Sequence, residues 1–264
     1  MRWFVLVALC MCTSAFAQTE YPNKPVRLVV PFAPGGGTDI VARVMAQKAS
    51  EIFRQSIVVD NRGGAGGIIG METTVRATPD GYTLGIVSGS IATVAAANKL
   101  PFDPVKDITP VSMLGEAGFL LTLNPAVPAK TTLELIAYAK ANPGKIAYGS
   151  SGTGGTSHLV GELFDLMAGT QMTHVPYKSS GPALTDMLGG QIQMIYGSSP
   201  VVNPHANSGR LRVIAITTLK RSRALQNIPT VAESGVPGFE TITWYALSGP
   251  RGLSQSVVER WQNA

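Results

Sequence analysis

Short apolar runs alternate with helical stretches from Val26 onward. The segments VRLVV, SIVVD and YTLGIVS are rich in β-branched and apolar residues, which predicts three strands. Between the first two, TDIVARVMAQKASEIF has helical spacing and predicts an amphipathic helix, with an apolar face made of Ile40, Val41, Val44 and Met45. This order, with nearly continuous apolar strands, predicts an α/β fold whose parallel sheet is covered on both faces.

A proline-rich segment interrupts the alternation near position 101. LPFDPVKDITP carries three prolines in eleven residues and is typical of a connection between lobes rather than of a helix or strand. Beyond it, FLLTLN, KIAYGS, MTHVPY and QIQMIYGS predict strands, and TTLELIAYAKA predicts a helix capped by Thr131 with Glu134 three residues on. The repeated alternation predicts a second α/β lobe.

The last part of the chain predicts a third region. GVPGFETITWYALSGP is aromatic and strand-like, and SQSVVERWQNA begins a helix. The sequence ends inside that helix, without a capping residue or a glycine after it. We therefore expect the fold to lack a C-terminal segment in this chain.

The first residues predict a signal peptide over 1–17. A positive start at Met1-Arg2 is followed by the apolar run WFVLVALCMC and by the cleavage signal AFA, which places cleavage before Gln18. The apolar run is too short to span a bilayer. Both cysteines of the sequence lie in this leader, so the exported chain is expected to have no disulfide, no thiol nucleophile and no cysteine metal ligand. We expect a soluble protein of a bacterial periplasm.

Composition and charge narrow the class of partner. The 264 residues are 45% hydrophobic and 14% charged, which is typical of a soluble globular protein. The formal charge of +5 comes from scattered basic residues, with one cluster, KRSR, at 220–223. This pattern favours anions mildly and lacks the basic, aromatic-interleaved face of a nucleic-acid-binding protein.

Three glycine-rich turns are the strongest candidates for a site. They are PFAPGGGTD (31–39), NRGGAGGIIG (61–70) and GSSGTGGTSH (149–158), and two of them join a predicted strand to a predicted helix. Such a turn presents free backbone N–H groups at the positive end of a helix dipole, where a carboxylate or phosphate binds. One such loop is equally well explained as a tight turn. Two loops, one in each lobe, predict a shared cleft at the carboxyl ends of the strands.

Motif rules argue against nucleotide, hydrolase and metal sites. The one Gly-Lys pair, at 144–145, is followed by Ile146, which breaks the Walker A pattern, and the GGG run lacks the third glycine of a dinucleotide fingerprint. Ser151 has Gly149 before it but Thr153 after it, so no nucleophile elbow is present. The three histidines lack paired spacing, so we expect no metal. A hydroxyl nucleophile with a distant base stays open.

Three side chains near the predicted cleft keep two interpretations each. His158 either lines the cleft or packs beneath it. Lys178 is either a ligand contact or a solvated surface charge. Asp39, in the first helical turn, either caps the helix or binds a ligand ammonium.

Seven collinear segments resemble one protein family. They are VRLVVPFAPGGGTDIVAR, VVDNRGGAGGIIG, PDGYTLGI, YGSSGTGGTSHLVGELF, HVPYKSSGPALTDMLGGQI, GRLRVIAITT and PTVAESGVPGFE. Together they are similar to the Bug family, the extracytoplasmic solute receptors of tripartite tricarboxylate transporters, over nearly all of 21–264.

The resemblance implies a two-lobed periplasmic binding protein fold, type II-like, that closes on a carboxylate. The implied lobes are 21–110 with 244–264, and 111–243, and members of the family continue past the end of this sequence with helices that complete the first lobe. The implied partners are a small carboxylate and membrane permease subunits, for a monomer without cofactor, metal or nucleic acid. The implied ligand-binding residues are Phe32, Ala33, Gly35, Gly36, Gly37, Thr38, Asp39, Ser151, Gly152, Thr153, Gly154, Thr156, His158, Tyr177, Lys178, Ser179 and Gly181.

The sequence also departs from the family pattern. Tyr196 and Gly197 stand where family members often carry an aspartate, which weakens an amino-acid ligand, and 61–64 lacks a proline that stiffens the turn. The leading hypothesis is a periplasmic receptor that delivers a carboxylate to a permease and has no enzymatic activity. The alternatives are an exported α/β hydrolase, using Ser151 or Ser157 with His158, and a sensory receptor that presents its ligand.

Overall fold

The computed structural model describes residues 21–264. The predicted signal peptide lies outside the described residues and stays a prediction. The first part contains β1 (Val26–Val30), α1 (Gly37–Phe53), β2 (Ile57–Asn61), a 3₁₀ turn (Ala65–Gly67), α2 (Ile68–Val75), β3 (Thr83–Ser88), α3 (Ser90–Ala97) and β4 (Ile108–Gly118). Then follow β5 (Leu120–Leu123), α4 (Thr132–Ala141), β6 (Ala147–Ser150), α5 (Thr156–Ala168), β7 (Thr173–Pro176), α6 (Ser180–Leu188), β8 (Met194–Gly197), α7 (Ser199–Asn207), β9 (Arg212–Ile216), β10 (Ile242–Pro250) and α8 (Gln255–Gln262).

These elements form two five-stranded sheets flanked by helices, and we call the part built on each sheet a lobe. The first sheet has the order β2-β1-β3-β10-β4, and the second has the order β7-β6-β8-β5-β9. In both, four strands run in one direction and one runs antiparallel to them, β10 in the first sheet and β5 in the second. The predicted α/β, two-lobed fold is therefore confirmed, with mixed rather than wholly parallel sheets.

Helix α1 packs through a face centred on small residues. Its buried side chains include Ala42, Ala46 and Ala49, whereas Val44 is 61% exposed. Alanines at this spacing let the helix lie close on the sheet, where Leu28 and Val30 are fully buried. The prediction was wrong for Val44, while Val41 and Met45 pack partly buried against the same core and Ile40 packs against the core of the second lobe. The centre of the face was missed because a stripe of small residues carries less hydrophobicity than the larger side chains beside it.

The proline-rich segment ends in a strand that the sequence did not predict. Ile108, Thr109 and Pro110 open β4, which pairs along its length with β10. Pro110 is tolerated because β4 is the last strand of its sheet, where one side of the backbone needs no ladder partner. Helix α7 was also missed, because Pro204 lies inside it.

The chain crosses between the lobes after β4 and again before β10, and Thr217 joins the two crossings. Thr217 is fully buried. Its Oγ1 accepts from the Phe119 N–H at 2.8 Å and donates to the Thr241 carbonyl at 2.7 Å. Its backbone N–H donates to the Phe119 carbonyl, and its carbonyl accepts from the Thr241 N–H, both at 2.9 Å. The lobes therefore meet at a hydrogen-bonded hinge, while the predicted lobe bounds stay a prediction.

Within 21–264, no helix has the length and apolar character needed to cross a membrane.

Candidate functional site

A small cavity lies between the two lobes. Its volume is about 40 Å³, on the scale that holds a few water molecules. The lining residues from the first lobe are Phe32, Gly36, Gly37, Thr38, Ser88, Ser90, Thr243 and Tyr245. Those from the second lobe and the crossing before it are Phe119, Ser151, Thr156, Ser157, Ser180, Tyr196 and Ser198.

Five helices begin at this cavity. Helices α1 and α3 come from the first lobe, and α5, α6 and α7 come from the second. Only α6 is capped by the side chain of its own N-cap residue, since Ser179 Oγ accepts from the Gly181 N–H at 3.2 Å, and the first N–H of α5 donates to Ser90 Oγ from the other lobe. The converging helix dipoles and uncapped first turns favour a negative charge in the cavity.

The cavity wall is polar but uncharged over the part of the chain that the structure describes, because its polar side chains are all hydroxyls. Ser198 belongs to this wall. It is 6% exposed, and its Oγ makes no hydrogen bond. The Tyr245 hydroxyl is the neighbour of Ser198 from the first lobe. Burial raises the pKa of Tyr245, against the opposing effect of the neighbouring Thr243 and Ser198 hydroxyls. A buried hydroxyl without a partner is costly unless a ligand or water completes it.

Asp39 holds the first glycine loop from behind. Its Oδ2 accepts from the Gly35 N–H at 3.0 Å and from Arg43 Nε at 2.9 Å, and its Oδ1 accepts from Asn61 Nδ2 at 2.9 Å. Burial raises the pKa of the Asp39 carboxyl, but these hydrogen bonds outweigh burial and leave the pKa below its usual value. Both carboxylate oxygens are occupied and Asp39 lies outside the cavity lining, so it orients the loop.

Glycines let the two lobes touch at the cavity. A Cβ on Gly37 would lie 2.5 Å from Ser198 Oγ, and a Cβ on Gly181 would lie 2.6 Å from the Pro34 carbonyl oxygen. A backbone hydrogen bond also crosses the interface here, from the Ala33 N–H to the Lys178 carbonyl at 3.1 Å. No larger residue fits these contacts, so the closed arrangement depends on glycine.

The glycine loop of the second lobe, residues 150–156, is held by side chains of its own lobe. We call it the second glycine loop. Ser151 Oγ lies 2.9 Å from Ser157 Oγ, which also accepts from the Ser151 N–H at 2.9 Å. The Gly154 N–H donates to His158 Nδ1 at 3.1 Å. At the mouth of the interface, Ser90 Oγ accepts from the Thr156 N–H at 3.3 Å and so joins the loop to the first lobe.

The structure divides the predicted site residues into three groups. The cavity lining includes Phe32, Gly36, Gly37, Thr38, Ser151 and Thr156. Two shallower openings between the lobes are lined by Ala33, Gly35, Gly152, Thr153, Tyr177, Lys178 and Gly181. Loop-supporting positions are taken by Asp39, Gly154, His158 and Ser179. Whether any of them binds ligand stays a prediction.

Sequence reasoning missed several lining residues. Ser88 ends β3 and Ser90 begins α3, so the strand-turn-helix rule used for the glycine loops could have found them. Thr243 and Tyr245 lie on β10, which reaches the cavity only by pairing with β3 and β4. No local signal marks such residues.

The arrangement expected of a hydrolase does not form around His158. Its Nδ1 accepts from Gly154, and its Nε2 lies 3.5 Å from Glu162 Oε1, so both ring nitrogens face away from Ser151 and Ser157. Ser150 Oγ does lie 2.6 Å from His174 Nε2, but Ser150 is 1% exposed and out of reach of a substrate. Over residues 21–264, no three His, Cys, Asp or Glu side chains gather as a metal site requires.

Comparisons with known proteins agree on one family. Residues 41–264 match the model of the tripartite tricarboxylate transporter family receptor. The chain is 38% identical to Protein BugT of Bordetella pertussis over 258 residues, which cover 96% of this chain and 79% of BugT.

Solved structures give the same result. The chain is similar to R. palustris Rpa4515 with adipate (37% identity, TM-score 0.89, 92% of this chain and 82% of that one). It is also similar to MatC from Rhodopseudomonas palustris with bound malate (31% identity, TM-score 0.86, 92% of this chain and 83% of that one).

Proposed function

This chain belongs to the tripartite tricarboxylate transporter receptor family, which includes the Bug solute-binding proteins, and on that premise we propose that it captures a small organic carboxylate between its lobes. The observation that carries the proposal is the convergence of five helix N-termini on one uncharged, hydroxyl-lined cavity. Two similar structures hold adipate and malate, both of them carboxylates. Members of the family are binding proteins, and the proposal requires no catalytic step.

The carboxylate group would take the place that the cavity leaves for an anion. Its oxygens would accept from the N–H groups at the helix starts and from hydroxyls such as Ser198. Hydrogen bonds of this charge-assisted kind contribute roughly 1.5–3 kcal/mol each. Three or four of them reach micromolar affinity after the cost of ordering the ligand and closing the lobes.

The receptor would deliver its ligand in the periplasm to the permease of a tripartite tricarboxylate transporter. The description of the matched family supports this partner, and the predicted signal peptide supports export. A sensory receptor would share the binding chemistry and differ in its partner. Capture of membrane proteins by the ligand-bound form distinguishes the two, since a permease subunit supports delivery and a membrane kinase contradicts it.

Thermal unfolding with a panel of mono-, di- and tricarboxylates, amino acids and aromatic acids tests the binding proposal. A ligand at a hundredfold excess over its Kd stabilises the protein by about 2.7 kcal/mol, which raises Tm by roughly 5–10 °C for a chain of this size. We expect a selective shift with one class of carboxylate, and stoichiometric binding without product. A cooperative transition that no carboxylate shifts would contradict the proposal.

Two serines flank helix α7, and one serves as a test of the site and the other as its matched control. Ser198→Ala removes the unpartnered hydroxyl at the cavity and should weaken binding about tenfold. Ser208→Ala removes an exposed hydroxyl that donates to the His205 carbonyl at the other end of the same helix, and should leave affinity unchanged. Equal affinities for both variants would place the ligand elsewhere.

A further inference from the structure

Two histidines stack behind the second glycine loop. The rings of His158, on α5, and His174, on β7, have centroids 3.9 Å apart and an interplanar angle of 32°. We call these two side chains the imidazole pair. Each ring is hydrogen-bonded to the loop, and neither belongs to the cavity lining.

His158 fixes one end of the loop only in its neutral form. Its Nδ1 accepts from the Gly154 N–H, so this nitrogen carries a lone pair and the ring proton lies on Nε2, facing Glu162. A second proton on the ring would turn Nδ1 into a donor. That donor would then point at the Gly154 N–H, and the hydrogen bond would be lost.

His174 acts on the other end of the loop through a serine. Its Nε2 lies 2.6 Å from Ser150 Oγ, and that oxygen accepts from the Gly152 N–H at 3.1 Å. Gly152 has a φ of 127° and Gly154 a φ of 78°, both in the left-handed region. The two hydrogen bonds therefore hold an unusual backbone path at two points, and that path sets where α5 begins.

The imidazole pair lies beside one carboxylate and one phenol. Glu162 Oε1 lies 3.5 Å from His158 Nε2 and accepts from the Tyr148 hydroxyl at 2.7 Å. Burial, then the neighbouring His158, lower the pKa of His174 to about 4, against the opposing effect of Glu162. The His174 ring that stacks on His158 is therefore neutral at neutral pH.

We propose that His158 is a positioning residue of the binding loop, and that loss of its Nδ1 acceptor frees the Gly154 N–H and lowers the affinity for the ligand. The inference rests on the proposed function, because it assigns the loop to ligand binding. The ring holds Gly154, Gly154 sets the turn before α5, and α5 presents Thr156 and Ser157 to the cavity. Loss of the acceptor would thus weaken ligand binding through the loop rather than through a direct contact.

Two substitutions separate the parts of this role. In His158→Asn, the amide oxygen stands near the place of Nδ1 and accepts from Gly154, but the side chain does not titrate. In His158→Phe, a ring still stacks on His174, but no acceptor is present. His205→Asn, near the C-terminal end of α7, is the matched control for loss of an imidazole.

The first experiment measures Kd by calorimetry at pH 8, with the panel carboxylate that binds wild type. We expect His158→Phe to bind about tenfold more weakly, and His158→Asn and His205→Asn to bind within about threefold of wild type. Recovery of affinity in His158→Asn distinguishes loss of the acceptor from loss of the imidazole ring. Full affinity in His158→Phe, or equal losses in His158→Phe and His158→Asn, would overturn the inference.

The second experiment needs no ligand. Amide hydrogen exchange of Gly154, followed by NMR in the unliganded protein, should be about tenfold faster in His158→Phe and unchanged in His158→Asn. If no carboxylate binds wild type, the proposed function fails while this measurement still decides the role of His158. Unchanged exchange in His158→Phe would overturn that role even in a protein that binds carboxylates.

Discussion

Asp39 illustrates how a charged side chain supports a site without entering it. It is 3% exposed and accepts hydrogen bonds from Gly35, Arg43 and Asn61. Asp39→Asn keeps one acceptor oxygen but turns an amide donor toward donors that remain. We expect a loss of about 2 kcal/mol in the free energy of unfolding, measured by urea denaturation at pH 7.

The pH dependence of that loss follows from the direction of the pKa shift. Because the pKa of Asp39 is lower in the folded state, its contribution is present above the ordinary value near 3.8 and is lost as pH falls through the lower folded value. Wild type and Asp39→Asn should therefore converge in strong acid. Glu51→Gln, in the exposed pair with Lys48, is the control and should leave stability nearly unchanged, because solvent screens an exposed ion pair. A similar loss in both variants would contradict the role assigned to Asp39.

His174 is a base, and its contribution to stability is also lost in acid. Its pKa falls from 6.5 to about 4 on folding, so its contribution is complete above pH 6.5 and is lost progressively as pH falls to about 4. In that window one proton taken up by the unfolded chain lowers stability by at most about 1.4 kcal/mol per pH unit. His174→Phe should show a shallower slope in urea denaturation between pH 6.5 and 4. Parallel curves for wild type and variant would refute this assignment.

The start of helix α1 is fitted against helix α7 of the other lobe. Gly37→Ala would place a methyl group 2.5 Å from Ser198 Oγ and 2.9 Å from Tyr245 Oη. The lobes would be held slightly apart, so we expect at least tenfold weaker ligand binding by calorimetry. Stability without ligand should hardly change, because alanine is favoured over glycine in a helix.

Gly189→Ala is the control for that prediction. Gly189 ends helix α6, and an added Cβ would meet its nearest neighbours at the ordinary distance of 3.6 Å. We expect wild-type affinity. If Gly37→Ala also binds like wild type, the contact between α1 and α7 does not limit closure.

Local elements were predictable where the sequence itself carries the signal. Strand β1 has the predicted bounds, and Thr131 caps α4 as expected, with its side chain accepting from the Glu134 N–H at 3.2 Å. Elements that depend on distant pairing were not predictable. Strand β4 is defined by β10, more than a hundred residues later in the chain, and its proline argued locally for a connection.

The candidate site divides in the same way. The glycine loops were predicted because an unusual backbone needs glycine, whatever lies opposite. The partners across the interface were not, since nothing near Ser198 indicates that it faces Gly37. The assignment of His158 depended on the direction of its ring, which follows from the packing of α5 on β7 rather than from its neighbours in sequence.

At the scale of the whole molecule, we expect the lobes to rotate about the crossing that Thr217 joins. Thr217→Val keeps the shape of the side chain but leaves the Phe119 N–H and the Thr241 carbonyl without this partner. We expect a loss of about 2 kcal/mol in stability, by urea denaturation, and a change in the solution scattering of the unliganded protein as the angle between the lobes becomes less restricted.

The control for the hinge is Thr73→Val on α2, where the hydroxyl bonds only to the Ile69 carbonyl on an exposed helix surface. Its stability should lie within about 0.5 kcal/mol of wild type and its scattering should be unchanged. Equal effects of the two substitutions would mean that Thr217 does not restrict the angle between the lobes.

The glycine contacts between the lobes also constrain how the protein can evolve. Gly37 and Ser198 contact each other across the interface between the lobes. A larger residue at one of these positions therefore requires a smaller residue at the other. Such positions should change together among relatives. Wall positions outside these contacts, such as Phe32, Ser88 and Thr243, are free of that coupling. New ligand preferences would then arise by single substitutions at those positions, while the closing surfaces stay fixed.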